Sequence, residues 1–188
     1  MNDLEIFCRQ VRERSAEHRR AVEALGCADA PSQLVSILRQ ELDSMVRVIY
    51  VLAQPDNDYR QQLITASVNG HRWKRSTGKG HVTDREMIEL AQHLHGWTAS
   101  VYKFGCAFIH LSNLHDHKVR DGFLAIDASE REDIIRHLRY YHGGPSTEAA
   151  AFADIIPFFP RVFEKIADNL ECYVETLEAG QGLDEYVA

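Results

Sequence analysis

One stripe of apolar side chains constrains this chain more than any other feature. Met87, Leu90, Leu94, Trp97, Val101, Phe104, Phe108 and Leu111 follow one another at steps of three and four, and His115 continues the track. That spacing holds every member on one face of an α-helix, and it is the seven-residue repeat by which helices pack in antiparallel bundles. A continuous helix over 84–117 would be about 50 Å long. Thr83 and Glu86 form a capping-box pattern at its start, while Gly96 and Gly105 mark places for a kink or break.

The rest of the chain repeats the theme. Leu4, Phe7, Val11, Val22 and Leu25, with His18 on the same track, predict a helix over 3–25. A second starts near Pro31 or Ser32 with Val35, Leu38, Leu42, Met45, Ile49 and Leu52 inward, and "QPDND" ends it. A shorter helix fits Tyr59–Val68. Ser129 and Glu132 make another capping box opening "EREDIIRHLRYYH", which Gly143-Gly144-Pro145 stops. A short alanine-rich helix is expected over 147–155. Pro160 then suits the first turn of a last helix with Phe163, Ile166, Leu170, Tyr173 and Leu177 inward. Residues 180–188 read as a frayed tail. With no convincing strand pattern, the expected fold is all-α: one domain over 1–188, an antiparallel bundle of five to seven helices.

Composition narrows the class further. At 188 residues the chain is long enough for a substantial core. A net charge of −7 opposes a general nucleic-acid coat or an anionic-membrane binder, though not a local basic patch. Cys8, Cys27, Cys106 and Cys172 form no CxxC pair and read as reduced thiols. The charged N-terminus does not fit a signal peptide, and no apolar run reaches membrane-spanning length. These features set the expectation of a cytoplasmic protein without a cofactor.

"NGHRWKRSTGKGHVT" differs in kind from the helical segments. It carries Arg72, Lys74, Arg75 and Lys79 with no acid among them, and turn-forming glycines at 70, 78 and 80. We read 71–82 as an exposed, mobile basic loop, with a two-stranded hairpin as the alternative. This is the segment by which the chain would contact RNA phosphates.

"FIHLSNLHDH" holds three of the ten histidines. A helical metal site needs ligands at i,i+3 or i,i+4, and no HxxxH pair exists. Cys106 and His110 have that spacing, but nothing nominates further ligands. His115 lies on the apolar track with Ser112 one turn earlier, so the pair is a candidate binding site. The structural alternative is a half-buried histidine partnered by Ser112, or by Glu41 or Asp43. His110 and His117 face away from the stripe and are expected to be solvated.

Arg136 and His142, in "RHLRYYH", are separated by five residues, and a polar residue follows the arginine. The pattern resembles the RX4-6H motif of the HEPN superfamily, small all-α proteins. Many members are metal-independent RNases that act as dimers. The resemblance implies a homodimer in which His142 handles a proton of the 2′-hydroxyl or leaving group and Arg136 stabilises phosphate charge. Along one regular helix the two side chains stand about 120° apart. Arg139 is the nearer neighbour of His142, and a helix ending at Tyr141 would leave His142 freer. The inward face would be Ile134, Ile135, Leu138 and Tyr141.

A second resemblance covers residues 35–120 in pattern only. "ELDSMVRVIYVLA", "FIHLSNLHDH" and a closing amphipathic helix are similar to a loose group of bacterial helical proteins, some associated with phage defence, which share a Ser-x-x-His ending to a long helix. Here Ser112 and His115 match it. Three functional expectations result. The first is a HEPN-like RNA-acting domain using Arg136, His142 and the basic loop. The second is a non-catalytic interaction or regulatory protein with a protein partner, such as a toxin–antitoxin or defence component. The third is a small-ligand pocket between helices near His115.

Overall fold

The structure is a computed structural model in which residues 1–147 and 149–183 are described. It is an all-α bundle: α1 (Asp3–Gly26), α2 (Pro31–Leu52), α3 (Asn57–Val68), α4 (Asp84–His95), α5 (Thr98–Ile109), α6 (Ala128–His142), a single turn α7 (Phe152–Ile155) and α8 (Phe159–Glu178). Among the described residues no helix is long and apolar enough to cross a membrane.

Helix α2 is the axis of the bundle. Fourteen of its 22 residues are buried, because α1, α3, α4, α5 and α8 all pack against it. Its C-terminal half, with Met45, Ile49 and Leu52, joins Leu63 of α3 and Leu170 and Val174 of α8 in one core cluster. Its N-terminal half, with Leu34, Val35 and Leu38, joins a second cluster that is rich in phenylalanine. There Phe104 meets Phe108 edge-on at 5.2 Å between ring centres, and Phe108 stacks on Phe152 at 5.4 Å. Such pairs stabilise beyond the area they bury, by about 0.5–1.5 kcal/mol each.

The expected long helix over 84–117 is two helices and a loop. Gly96 takes a left-handed conformation, φ 68°, which closes α4 as its C-cap. The Gln92 side chain spans the break: its Nε2 donates to the Gly96 carbonyl at 2.7 Å, and its Oε1 accepts from the Thr98 hydroxyl and the Ala99 amide. The stripe still reads through the break, because Met87, Trp97, Phe104 and Phe108 are all buried. Leu94, beside the turn, is exposed, and Val101 is only half-buried. Helix α5 ends at Ile109, which leaves Leu111 almost wholly exposed.

Other boundaries differ from expectation for local reasons. Asp127, rather than Ser129, caps α6 by accepting from the Ser129 amide. The alanine-rich helix is reduced to α7, and Glu148 lies outside the described residues. The tail is held as far as Leu183, which is buried, while the Gln181 carbonyl accepts from Arg60; residues 184–188 lie outside the described residues. The 71–82 loop is anchored: the Trp73 ring is buried, its Nε1 donates to Ser67 Oγ at 2.8 Å, and the Tyr59 hydroxyl donates to the Lys74 carbonyl. A single antiparallel bridge, Lys74 to His81, is what exists of the alternative hairpin.

Gly105 does not bend α5. It lets α5 approach α2, since a Cβ there would stand 2.6 Å from Arg39 Cβ. Ala is intrinsically the better helix former by about 1 kcal/mol. Overpacking against the near end of a buried side chain outweighs that, at about 1–3 kcal/mol. Gly105→Ala is therefore expected to lower the melting temperature by several degrees in a thermal unfolding scan; an unchanged or raised value would refute the close-approach account.

Candidate functional site

A cleft between α2, α5, α6 and α8 holds about 690 Å³ of empty space, part of it open to solvent. Val35, Trp97, Phe104, Leu138 and Val162 make its walls apolar. Three basic side chains also line it: His137 and His142 from α6, and Lys165 from α8. No carboxylate does, among the described residues.

The sequence places these groups by simple periodicity. Ile134, His137, Leu138, Tyr141 and His142 share one face of α6, and Val162, Lys165 and Ile166 share one face of α8. Gly143, φ 78°, ends α6 as a left-handed C-cap. Arg139 Nε donates to the Pro145 carbonyl at 2.7 Å and fixes the following turn. Arg161 Nη1 donates to the His142 carbonyl at 2.9 Å, tying α8 to the end of α6.

All three bases are pushed towards their neutral forms. Burial lowers the His142 pKa, and the charges of Lys165 and Arg161 lower it further. Burial also lowers His137, with Arg136 adding repulsion and Asp133 partly opposing it. Lys165 is lowered by burial, and its Nζ sits 3.4 Å from the centre of the Tyr141 ring, a cation–π contact. It has no ion pair among the described residues. Among the described residues, His137 Nδ1 is buried with no partner at hydrogen-bonding geometry.

The expected pair Arg136 and His142 is not brought together within the chain. Arg136 points away by roughly half a turn from the cleft face of α6 and is exposed, donating to Asp133 Oδ1 at 2.6 Å. The guanidinium beside His142 belongs to Arg161. Ser112 and His115 do meet, but as a turn: the Ser112 amide donates to His115 Nδ1 at 3.3 Å, and the Ser112 hydroxyl donates to the Ala107 carbonyl. His115 leans on Phe108 rather than reaching Glu41 or Asp43, and it does not line the cleft. His110 is exposed as expected. His117 is not solvated: it is half-buried, 3.1 Å from Ser32 Oγ, with its ring tilted against Phe152 at 4.9 Å.

The four basic-loop residues separate. Arg75 pairs with Glu86 of α4 at 2.9 Å, holding the Glu86 pKa down to about 2, so its charge is largely satisfied. Arg72, Lys74 and Lys79 are exposed. Among the described residues no three His, Cys, Asp or Glu side chains converge as a metal set would. Comparison of the chain with models of protein families, with curated proteins and with solved structures finds no match.

The sequence reading missed Lys165 and His137, the two groups that give the cleft its character with His142. A lysine on the flank of an inward stripe, one residue before Ile166, was the available signal. The sequence offers Glu41 as a partner for His115, but it is His18 that Glu41 meets, in a buried pair at 2.6 Å between α1 and α2, with the Ser15 hydroxyl donating to the same carboxylate.

A base whose folded pKa lies below its free value binds fewer protons folded than unfolded. Its contribution is therefore complete above pH 6.5, the ordinary histidine value, and is lost as the pH falls from there towards the folded pKa. His95, which burial also lowers, adds to the same loss. Thermal stability should thus fall between about pH 7 and pH 5, before most carboxylates titrate. His137→Leu/His142→Leu should flatten that slope, leaving the His95 part. A double variant with the full wild-type slope would show that the cleft histidines are not its source.

Proposed function

We propose that the protein is a small-ligand-binding helical bundle, and that the α5–α6–α8 cleft receives an anion with an apolar body, such as a medium-chain or aromatic carboxylate. The observation that carries this reading is the set of three bases, His137, His142 and Lys165, in an apolar cleft that no acid lines among the described residues. Holding like charges in such a place costs stability, and the fold offers no internal return for Lys165 except the Tyr141 face. A bound carboxylate would relieve that cost while its body fills the apolar walls. Binding then takes up protons, so affinity rises as the pH drops from 8 towards 6, provided the carboxylate stays ionised.

The RNA-acting reading is the second one, and one observation favours it: His142 borders a cleft and has cationic neighbours in Lys165 and Arg161. It would require Arg136 from a second copy, because within one chain Arg136 points elsewhere. A homodimer and a non-catalytic role with a protein partner belong to the same set of proposals.

Decanoate, decanol and acetate separate these readings when followed by Trp97 fluorescence in a Trp73→Phe background. Decanoate is expected to bind, decanol to bind at least tenfold more weakly, and acetate not to bind. Lys165→Met should abolish the preference for decanoate while keeping or raising the melting temperature, since it removes a charge that burial disfavours. Equal binding of decanoate and decanol would reject the anion site. Cleavage of single-stranded RNA in EDTA, lost in both His142→Ala and Arg136→Ala, would establish the RNA-acting reading instead.

A further inference from the structure

A second cleft lies on another side of α2, between α1, α2 and the 71–82 segment, and holds about 920 Å³ of empty space, part of it open to solvent. Its chemistry is unlike the first. Arg14 from α1, Arg47 from α2, and His71 and Arg72 from the loop all line it, with Trp73 at its base. Arg14 Nη1 and Arg47 Nε both touch the same oxygen of Asp43, at 3.8 and 2.9 Å, which brings the two guanidinia to one spot. Arg47 is braced further by Asp84 Oδ1 at 3.4 Å and by the Trp73 ring, 5.4 Å from its centre. Arg14 has only the long Asp43 contact, and Arg72 has no ion pair or side-chain hydrogen bond among the described residues.

We propose that this cleft binds a compact phosphorylated ligand, with its phosphate held by Arg14, Arg47 and Arg72. Arginines from three separate elements line it, and Asp43 brings two of them together. Asp43 and Asp84 orient Arg47 and also meet Arg39, so two carboxylates face Arg14, Arg39 and Arg47 and leave nothing for Arg72. Guanidinium forks match phosphate oxygens in pairs, and the Gly70 backbone and Ser44 give the walls small polar surface. A compact ligand fits better than a nucleic-acid strand. The attraction is confined to the cleft, while the chain as a whole carries −7 and repels a polyanion that runs past it. The Trp73 ring is buried and covered by Tyr50 and Arg47, so it offers no open face for a stacked base.

Calorimetric titration of the full chain at low salt tests this with pyrophosphate, adenosine 5′-monophosphate, adenosine and a twelve-nucleotide single-stranded RNA. Pyrophosphate and the monophosphate are expected to bind and adenosine not to. Arg72→Ala should weaken both by about tenfold or more, as loss of a charge-assisted contact does. Because Arg72 is exposed and unpartnered, this variant should fold as wild type. Arg14→Gln should weaken them similarly. Lys165→Met, in the other cleft, should leave these affinities unchanged. The proposal is overturned if neither phosphate compound binds at millimolar concentration, or if Arg72→Ala binds as wild type. It is equally overturned if Lys165→Met weakens binding as much as Arg72→Ala. RNA binding with a steep salt dependence and no binding of the small phosphates would also overturn it, in favour of a backbone-reading surface.

Discussion

A helix surrounded by other helices has little solvent to offer a charge, and α2 carries Arg39 and Glu41 buried, and Asp43 and Arg47 half-buried, in its middle. Each is answered from another element or from α2 itself. Glu41, fully buried, meets His18 and Ser15 of α1. Arg39, 6% exposed, lies over the Tyr102 ring at 4.0 Å and reaches Asp84 of α4 at 3.5 Å. Asp43 gathers Arg14 and Arg47. Glu41 and His18 are the pair buried on both sides, and removing one member of such a pair typically costs about 3–5 kcal/mol, because the other is left uncompensated. Apolar contacts alone would tolerate α1 or α4 sliding along α2. The polar pairs tolerate only one register, and the positions of both clefts follow from it.

How much of this was legible depends on range. Helical spacing of apolar residues is a local property, so α1, α2 and α8 stand within a few residues of where the stripes place them. The break at Gly96 was harder to read, because the stripe is preserved through it. Both α4 and α5 face α2, so the same residues turn inward whether or not the helix is continuous. What decides the matter is Gln92, whose side chain caps both sides of the turn, and that role shows only in three dimensions. Leu94 and Leu111 show the limit of the pattern: each is in step with the stripe, but one lies beside a turn and the other past a helix end.

The site was less legible because its chemistry comes from residues far apart in sequence. His142 stood out through its spacing from Arg136, yet that spacing sends Arg136 to the other side of α6. What gives His142 a cationic setting is Lys165 and Arg161, which a cis connection, a one-turn helix and the start of α8 separate from it. Similarly, the loop cations form one patch in sequence. In space Glu86 takes Arg75, while Arg72 turns to a cleft completed by Arg14 and Arg47 from helices much earlier in the chain. No acid was visible within the loop, but the first turn of the following helix supplied one.

The two clefts solve the same electrostatic problem in opposite ways. Val35 and Leu38 border the first and Ser44 and Arg47 the second, so they lie on roughly opposite faces and different halves of α2. In the first, bases are placed among apolar walls without a counter-charge, and their proton affinity falls as a result. In the second, Asp43 touches two of the guanidinia and holds them together. An anion entering the first cleft would supply a charge that the fold withholds. One entering the second would have to share its cations with a carboxylate already there, and would gain by bringing more oxygens than Asp43 can. A monovalent apolar carboxylate would answer the first condition and a multivalent phosphate the second, so on the two proposals the same net-negative chain would discriminate between two kinds of anion by where its own carboxylates stand.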